Sequence, residues 1–553
     1  MRKPLRAAKM LSSVRLAPVF AALALALSAS APAGRPIPAP RLLDLRVGNG
    51  GKPFAGDRRL LTTVSPNGDG LRDRAIVSFR LDRAAKVTLE AVRTDAVGKA
   101  WPAEQTVWSR TASFGSGRHH LTWPPSPKIS DRTYVLRLTL VDRRGRRRVY
   151  GNYKPSPHTR ANAPVVRILG VQAGFLRRSY APGERADVIV STDARAIKVQ
   201  VFAYGQVAHP TEHDLKTGGI AVTPPIRLDW RGRQNAPHRL RVVRVGAWAS
   251  GLYFLRATAN DGRVGYAPFI LRASPAGRPR VAVVLATNTW QAYNFEDANG
   301  DGWGDSWYVS PAIRSVDLRR PFLDFGVPYR FRDWDLSFVA WLNRTKKHVD
   351  FLSDDDLEQF RSGDELAARY DLVVFPGHEE YVTRHAYDVV QRYRDLGGNL
   401  AFLSSNNFFA KVVLRRHRLR KVQLWRKLGR PEAGLVGVQY DGGDYGQRQG
   451  SYVVTGAARE PWLFAGTGLQ DGDRFGRYGI EIDKRTSKSP PGTVLLAAIP
   501  NLLGLGRSAE MTYYETPAGA KVFAAGTLNF AASSDEPAVS RLLENLWARL
   551  SKP

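Results

Sequence analysis

The hydrophobic pattern of this 553-residue chain changes once, close to residue 280. Before that point apolar and polar residues alternate, as in Ala75–Val92 and Tyr134–Val141, a pattern typical of strands buried on one face. After it the apolar residues come in continuous runs such as Val281–Leu285 and Leu372–Phe375, which is typical of strands buried on both faces. The pattern therefore predicts all-β modules followed by a domain in which strands and helices alternate.

Two proline-containing stretches, Lys154–Pro164 and Ser274–Arg280, have the composition of linkers. We predict a multidomain protein with two all-β immunoglobulin-like sandwiches followed by an α/β domain whose sheet is parallel and doubly wound. The predicted segments are a signal peptide at 1–33, β-sandwich modules at 34–153 and 164–273, and the α/β domain at 280–553.

The first 33 residues have the pattern of an export signal. Residues 1–15 carry five basic residues and no acid, and Leu16–Leu27 is an apolar run too short to span a bilayer. Small residues follow at Ala29–Ala33, where a signal peptidase would cut. No later stretch approaches about 20 uninterrupted apolar residues. We therefore expect a secreted, extracellular protein that is not transmembrane after cleavage, and an uncleaved N-terminal anchor is the alternative.

The formal net charge of +32 is concentrated in the front half of the chain. Residues 34–278 hold 42 Lys and Arg against 17 Asp and Glu, whereas residues 279–553 hold 35 against 33. The front half is therefore predicted to adhere to an anionic polymer such as cell-wall phosphate, or to lipid headgroups. The alternative is that the excess of arginine has no binding role and that arginine simply occupies solvated faces. We expect no nucleic-acid partner because no recognition-helix or base-stacking motif is present.

Polar side chains follow three of the buried strands in the back half. They are, in chain order, Tyr293 after Val281–Leu285, His378 and Glu380 after Leu372–Phe375, and Asn406 after Leu400–Leu403. In a parallel sheet ligands bind beyond the carboxyl ends of the strands. Since three such ends deliver a phenol, an imidazole with a carboxylate, and an amide to one edge, we predict a functional site there.

The chain has no cysteine, which excludes disulfides, a thiol nucleophile and thiolate-bound metal centres. Class I glutamine amidotransferase-like folds place a cysteine nucleophile at the sharp turn after a strand, and here Asn406 occupies that turn. The Gly-x-Ser-x-Gly pattern is also absent, so acyl-enzyme chemistry is disfavoured. A metal-activated water is the remaining way to attack a carbonyl, and phenolate and carboxylate oxygens suit ferric iron.

The back half resembles the large (beta) subunit of N,N-dimethylformamidase over roughly residues 280–550. The motifs that carry the resemblance are Asn288–Asn294, Gly377–Tyr381, Gly397–Leu403 leading to Asn406, and Tyr514–Thr516 with Val522–Asn529. That family comprises metal-dependent amidohydrolases with a mononuclear iron held by two tyrosines and one glutamate. The resemblance therefore implies a hydrolase that acts on the C–N bond of a small amide-containing or cell-surface substrate.

The same resemblance implies roles for individual residues. Tyr293 and Glu380 are similar in position to two of the iron ligands. Tyr308 is the choice for the remaining tyrosine, with Tyr329 in reserve. The catalytic residues that it implies are His378, Asn406 and Glu515, with Asn406 steadying the oxyanion and either of the other two moving protons.

The front half carries its own, weaker resemblance. Ser65–Gly70, Leu121–Trp123 and Tyr134–Asp142 resemble the immunoglobulin-like domains of the flagellar hook-capping type, and Leu228–Trp230 is a fainter echo in the second module. This resemblance implies a spacer or binding module without chemistry.

A further metal site is predicted between the first two rim motifs. Asp297, Asn299, Asp301 and Asp305 match ligand positions of an EF-hand calcium loop, although Tyr308 stands where a tight site has glutamate. The same residue types also form plain turns, which is the alternative to calcium.

A non-catalytic protein is the alternative to an iron-dependent amidohydrolase. In that reading the α/β domain is degenerate and binds a cell-surface or cell-wall glycan or peptide through Trp290, Trp303 and Trp307. An iron-bound phenolate colours a protein, so the two alternatives differ in a property that is simple to observe.

Overall fold

The computed structural model describes residues 38–96, 103–151, 162–204, 219–272, 279–308 and 313–552. The predicted signal peptide at 1–33 and most of each predicted linker lie outside the described residues. None of the helices in these ranges combines the length and the apolar content needed to cross a bilayer.

The first module is a β-sandwich. Its strands are β1 (Leu42–Gly48), β2 (Leu61–Val64), β3 (Ala75–Leu81), β4 (Ala85–Ala96), β5 (Ala103–Phe114), β6 (Gly117–Trp123), β7 (Thr133–Val141), β8 (Arg147–Tyr150) and β9 (Val165–Ile168). One sheet has the order β1-β3-β6, and the other has the order β2-β9-β7-β4-β5 with β8 on β7. Alternate residues such as Val77, Val87 and Leu138 are fully buried between the sheets. Because β9 pairs with β2 and β7, this sandwich extends to Ile168.

The second module is also a sandwich. Its strands are β10 (Gln172–Phe175), β11 (Ser179–Tyr180), β12 (Arg185–Ser191), β13 (Ala196–Ala203), β14 (Ile220–Ala221), β15 (Ile226–Asp229), β16 (His238–Arg244), β17 (Gly251–Ala259) and β18 (Val264–Leu271). The sheets have the orders β10-β12-β16 and β11-β18-β17-β13-β14, with β15 on β13. Their shared core contains Trp230, which is fully buried. The two β-sandwiches predicted from the alternating pattern are therefore present.

The back domain contains the remaining elements. The strands are β19 (Val281–Leu285), β20 (Ser315–Asp317), β21 (Asp350–Ser353), β22 (Leu372–Phe375), β23 (Tyr381–Thr383), β24 (Asn399–Phe402), β25 (Ala410–Arg415), β26 (Arg418–Leu424), β27 (Gln439–Gly443), β28 (Gln449–Val454), β29 (Arg474–Gly479), β30 (Glu481–Lys484), β31 (Val494–Ile499), β32 (Ala509–Glu515) and β33 (Lys521–Ala524). The helices are α1 (Thr287–Ala292), α2 (Leu323–Gly326), α3 (Phe331–Trp334), α4 (Leu336–Arg344), α5 (Asp354–Leu357), α6 (Gly363–Arg369), α7 (Arg384–Asp395), α8 (Ala433–Val436), α9 (Pro461–Phe464) and α10 (Pro537–Leu550), with 3₁₀ turns at Trp425–Leu428 and Ala531–Ser533.

Nine strands of the back domain form one mixed sheet, in the order β21-β19-β22-β24-β33-β32-β31-β28-β29. The first five strands are parallel to one another, as the continuous apolar runs predict. The last four pair antiparallel, starting from the β32–β33 hairpin. The predicted parallel sheet is therefore present only in the first half, because from the β32–β33 hairpin onward neighbouring strands run in opposite directions.

The parallel half of the sheet is covered on both faces. In β19, Val283 and Leu285 point into a core that includes residues of α4 and α10. Ala282 and Val284 point into a second core, which includes residues of α7. Since successive side chains of a strand face opposite sides of a sheet, a strand covered on both faces is apolar at every position.

The contact between α2 and the second sandwich leads to a test by mutation. Gly326 has a φ of +84°, and a Cβ there would lie 1.6 Å from the carbonyl oxygen of Tyr266. Gly326→Ala is expected to lower the free energy of unfolding by about 3 kcal/mol or more, because backbone must move. Gly429→Ala is the control, since its φ is +77° but no atom lies within 4 Å, and about 1 kcal/mol is expected. Equal losses in urea unfolding would contradict the close approach.

Candidate functional site

The carboxyl ends of β19, β22 and β24 form one edge of the candidate site, called the strand-end rim below. These strands are neighbours in the sheet and run parallel, so their ends lie side by side. The segments that follow these three strands carry, in chain order, Tyr293, Glu380 and Asn406. The structure thus brings together the three segments that the sequence pattern places at one rim.

Tyr293 and Glu380 are in direct contact. The Tyr293 hydroxyl donates a hydrogen bond to Oε2 of Glu380, and the two residues are 5% and 4% exposed. Burial, and then the Glu380 carboxylate, raise the pKa of Tyr293 well above its usual value. Burial also raises the pKa of Glu380. Two hard oxygen donors therefore converge on one point inside the protein.

His378 lies between two carboxylates. Its Nε2 is 3.4 Å from Oε2 of Glu481 and 3.8 Å from Oε2 of Glu380, and its ring packs edge-on against Tyr293 at 5.7 Å. Neither ring nitrogen makes a well-formed hydrogen bond to any residue that the structure describes. Burial alone lowers the pKa of His378, but Glu481 and then Glu380 outweigh it, so the pKa is raised. The imidazole is therefore placed to hold or pass a proton.

Asn406 is held at the turn after β24 by two acidic residues of β30. It has a φ of +56°, which asparagine tolerates better than most residues. Its Nδ2 donates to Oε2 of Glu481 at 2.8 Å, and its backbone N–H donates to Asp483 at 2.9 Å. The Oδ1 atom of Asn406 is buried and has no hydrogen-bond partner among the described residues. Asn406 therefore keeps one acceptor and one N–H for a ligand.

Glu481 is a site residue that the sequence interpretation missed. It lies 75 positions after Asn406, in a short strand that pairs with β27 outside the large sheet. One local signal was available: Glu481 and Asp483 flank Ile482, so two acids lie on the same face of one short strand.

Glu515 does not lie at the strand-end rim. It is the last residue of β32, which runs antiparallel to β33, while β33 runs parallel to β24. The carboxyl end of β32 therefore lies at the opposite edge of the sheet. There Glu515 pairs with Arg549 at 3.1 Å and accepts a hydrogen bond from Tyr513, and its side chain is 44% exposed. The structure therefore does not bring Glu515 together with the other predicted catalytic residues, His378 and Asn406.

Two further tyrosines pack beside Tyr293. The ring of Tyr308 lies 5.1 Å from that of Tyr293, and the ring of Tyr329 lies 6.4 Å away. Burial, then Tyr329 and Glu481, raise the pKa of Tyr308. Tyr329 instead has Arg330 beside it, which opposes the rise in its pKa that burial causes. Tyr308 is therefore better placed than Tyr329 to join Tyr293 and Glu380.

A basic hairpin, β25–β26, approaches the same cluster. The Lys421 ammonium lies over the ring of Tyr381 at 5.1 Å and opposes the rise in the pKa of Glu380. This places one cation of a strongly basic segment within electrostatic reach of the rim carboxylates.

The donor set of the rim fits a hard metal ion. Within the described ranges no group of three or more His, Asp or Glu side chains is placed to hold a metal on its own. Any ion at the rim would therefore need the phenol oxygens as well as Glu380. The contact between Tyr293 and Glu380 supplies two such oxygens side by side, and hard oxygen donors suit ferric iron.

The predicted calcium loop is closed by its own backbone. Asp297 accepts hydrogen bonds from the N–H groups of Gly300, Asp301 and Gly302, and Asp305 accepts from Ala298 and from the side chain of Asn299. Burial, then Asp301, raise the pKa of Asp297 to about 7. The loop also packs on the first sandwich, where Arg58 donates to the carbonyls of Asn299 and Gly300. Calcium binding by Asp297, Asn299, Asp301 and Asp305 stays a prediction.

Two of the tryptophans considered for ligand binding are inside the protein. Trp290 and Trp307 are 6% and 7% exposed, and Trp307 packs on Tyr381 with the ring centres 4.7 Å apart. Trp303 is half-buried. These side chains therefore do not form an exposed platform for a glycan or a peptide.

Asp335 lies behind the rim and gives the fold a pH dependence. Its carboxylate is 1% exposed, and burial raises its pKa to about 7, with only Trp290 and His378 opposing. Because the folded state holds this proton more tightly than the unfolded state, stability falls as the pH rises from about 4 to about 7. Each pH unit in that window costs up to about 1.4 kcal/mol.

Asp335→Asn is expected to remove this loss, so that the variant gains stability relative to the parent at pH 8 and not at pH 4. The unfolding midpoint measured in urea across this range tests it. Asp364→Asn is the control, since Arg392 lowers the pKa of exposed Asp364 to about 2, and the slope between pH 4 and 7 should stay unchanged. A parent-like slope in Asp335→Asn would contradict the assignment.

The fold and the rim together define a class: two β-sandwiches followed by a mixed-sheet domain with a buried site of phenols, carboxylates and imidazole. The chain belongs to the N,N-dimethylformamidase beta subunit-like, C-terminal family, whose match covers residues 233–540, more than half of the chain. The resemblance carried by the motifs is thereby confirmed. The match begins within the second sandwich, ahead of the predicted domain boundary at 280.

The individual relative described next matches a smaller part of the chain than the family does. The N,N-dimethylformamidase beta subunit of Paracoccus aminophilus is 26% identical over 198 residues, which covers 34% of this chain and 25% of that protein. The chain therefore spans about a quarter of the length of this curated relative.

The matches to solved structures cover less than half of this chain. Trypsin-activated alpha-2-macroglobulin from Escherichia coli is 9% identical over 42% of this chain and 17% of that chain, with a TM-score of 0.22. The N-terminal domain of mmIFT52 is 13% identical over 38% of this chain and 87% of that chain, with a TM-score of 0.23. Scores this low do not support a shared fold.

Proposed function

We propose that this chain hydrolyses the C–N bond of an amide at the strand-end rim, with a metal ion held by Tyr293, Tyr308 and Glu380. The observation that carries the proposal is the buried contact between the Tyr293 hydroxyl and Glu380, with His378 3.8 Å from the same carboxylate oxygen. The family supports it, because its name is that of an enzyme that cleaves an amide.

The chain's own residues would divide the work as follows. Ferric iron, when bound, would polarise the amide carbonyl and supply a reactive water at neutral pH. His378 accepts a proton from the attacking water at Nε2, and Glu481, 3.4 Å away, stabilises the charge that the imidazole gains. His378 then donates that proton to the leaving nitrogen. The second N–H of Asn406 Nδ2 steadies the negative charge that develops on the amide oxygen.

Several finer statements belong to the same proposal. The parallel half of the sheet, with a turn at Asn406 where a nucleophile would stand, is consistent with an architecture like that of class I glutamine amidotransferases. The export signal at 1–33 would place the activity outside the cell, on a small amide-containing or cell-surface substrate. A purely binding role is less favoured because Trp290 and Trp307 are buried.

The visible absorption spectrum tests the ligand set. Protein reconstituted with ferric iron is expected to show a phenolate-to-iron band that Tyr293→Phe removes. Tyr308→Phe should weaken this band, whereas the matched Tyr329→Phe should leave it intact, because the Tyr329 ring lies farther from Tyr293. Iron content measured by elemental analysis accompanies each spectrum. A colourless wild-type protein after reconstitution would contradict the iron proposal, and loss of colour in Tyr329→Phe alone would reassign the second tyrosine.

A further inference from the structure

The outer face of sheet β1-β3-β6 carries a basic groove of about 680 Å³. Its inner face is buried in the first sandwich, so the groove belongs to a surface that the candidate active site does not use. The charged side chains that line it are Arg46, Arg74, Arg80 and Arg118, with Asp44 as the one acid, and the histidines His119 and His120 also line it.

The strand register sets these cations in rows across the sheet. Arg46 pairs with Ser78, which in turn pairs with His120 on the third strand. Arg80 pairs with Arg118, two residues further along β3. Same-face residues along a strand are about 7 Å apart, and directly opposed residues are about 5 Å apart. The groove therefore presents Arg46 on one row and Arg80 with Arg118 on the next, on the same face of the sheet.

Most of this charge is left without a counter-charge. Arg80 pairs with Asp44 at 3.2 Å, both being about half exposed. Arg46, Arg74 and Arg118 are exposed and have no salt bridge to any residue in the described ranges. Bringing three like charges together on a small sheet opposes folding weakly, and an anionic ligand would remove that repulsion.

The surroundings of the arginines favour one kind of anion. Arginine forks match phosphate oxygens in pairs, and Ser78 and Thr122 add hydroxyl donors to the same groove. Phe79, the one Phe, Tyr or Trp among the lining residues, is buried at 3% exposure, so stacking on bases would rest on the two histidines alone. A groove also accommodates a single polymer chain better than it accommodates the flat surface of a bilayer. The occupant that matches is a flexible phosphate polymer without bases.

We propose that the groove on β1-β3-β6 binds a phosphodiester-linked anionic polymer of the poly(glycerol phosphate) type. Successive phosphates contact Arg74, then the row of Arg46 and His120, and then the row of Arg80 and Arg118. This site anchors the protein to a polyanionic surface and is independent of the proposed amide hydrolysis.

Binding to synthetic poly(glycerol phosphate), measured by fluorescence anisotropy over a range of salt concentrations, tests the proposal. The full chain is expected to bind at low salt, with an affinity that falls as salt rises, by a log–log slope of about −2 to −3 for four arginine contacts. Replacing Arg46, Arg74 and Arg118 by serine is expected to weaken binding at least tenfold and to reduce the slope by about 2. These side chains are exposed and unpaired, so the unfolding temperature should not change.

The matched control removes the same charge from the β7–β8 hairpin, with Arg143 and Arg144 of the turn and Arg147 of β8 replaced by serine. It should weaken binding less than threefold. Equal weakening by both triple variants would show that only net charge matters and would overturn the site. Absence of binding at low salt, or tighter binding of an oligothymidylate of equal charge or of phosphatidylglycerol vesicles, would overturn the assigned polymer.

Discussion

Glu380→Gln is expected to lower amide hydrolysis by about 10²-fold or more while leaving the fold intact. Glutamine keeps the size of the side chain but removes the charge beside the Tyr293 hydroxyl and His378. Loss of a positioned charged group at a reacting centre typically costs this much in rate. The rate of amine release from an amide substrate is the measurement, with the unfolding temperature recorded alongside.

Glu379→Gln is the matched control, one position earlier and equally buried. The carboxyl group of Glu379 faces that of Asp354, and burial followed by Asp354 raises the pKa of Glu379 well above its usual value. Because its surroundings disfavour the charged form of Glu379, glutamine is a close replacement, and activity within about threefold of the parent is expected. If both variants lost activity equally, the special role of Glu380 would be refuted.

Glu481→Gln is expected to reduce hydrolysis by roughly 10²-fold, and to change its pH profile. In the parent, the Glu481 carboxylate lies 3.4 Å from His378 and raises the pKa of its imidazole. Glutamine removes that carboxylate. The pKa of His378 should therefore fall in the variant, which shifts the acidic limb of the rate profile to lower pH. A fold defect alone would lower the rate without moving this limb.

Glu515→Gln distinguishes the carboxylate that the structure places at the rim, Glu481, from the one that the resemblance implied, Glu515. Glu515 lies at the opposite edge of the sheet with Arg549, so its replacement should leave the rate within twofold of the parent. A large loss in Glu515→Gln together with a parent-like Glu481→Gln would reverse the two assignments.

The sequence was most informative about single strands and least informative about their direction. Continuous apolar runs correctly predicted β19 and β22, because only a strand covered on both faces is apolar at every position. The parallel pairing of these strands brings the segments that carry Tyr293 and Glu380 to one edge, where the two side chains meet. Residue periodicity does not give the direction of a neighbouring strand. The role of Glu515 came from the resemblance alone, and the residue lies at the other edge because β32 runs antiparallel to β33.

Glu481 was missed for a related reason. It belongs to no run adjoining a buried strand, and its approach to Asn406 depends on the β27–β30 pair, which closes over the rim from a distant part of the chain. Contacts of this kind depend on tertiary packing, and a local pattern records only that Glu481 and Asp483 share a face. The surface groove on the first sandwich was similarly hidden, because the excess of arginine is spread through the front half and only the strand register aligns it.

The most direct test of the central claim is the release of amine from a panel of simple N-substituted amides by the iron-reconstituted full chain. The account predicts turnover of at least one amide by the wild-type protein, lost on removal of the metal and in Glu380→Gln but kept in Glu379→Gln. A protein that binds iron at the rim, with Tyr293 as a ligand by its absorption spectrum, and yet releases no amine from any amide would contradict it.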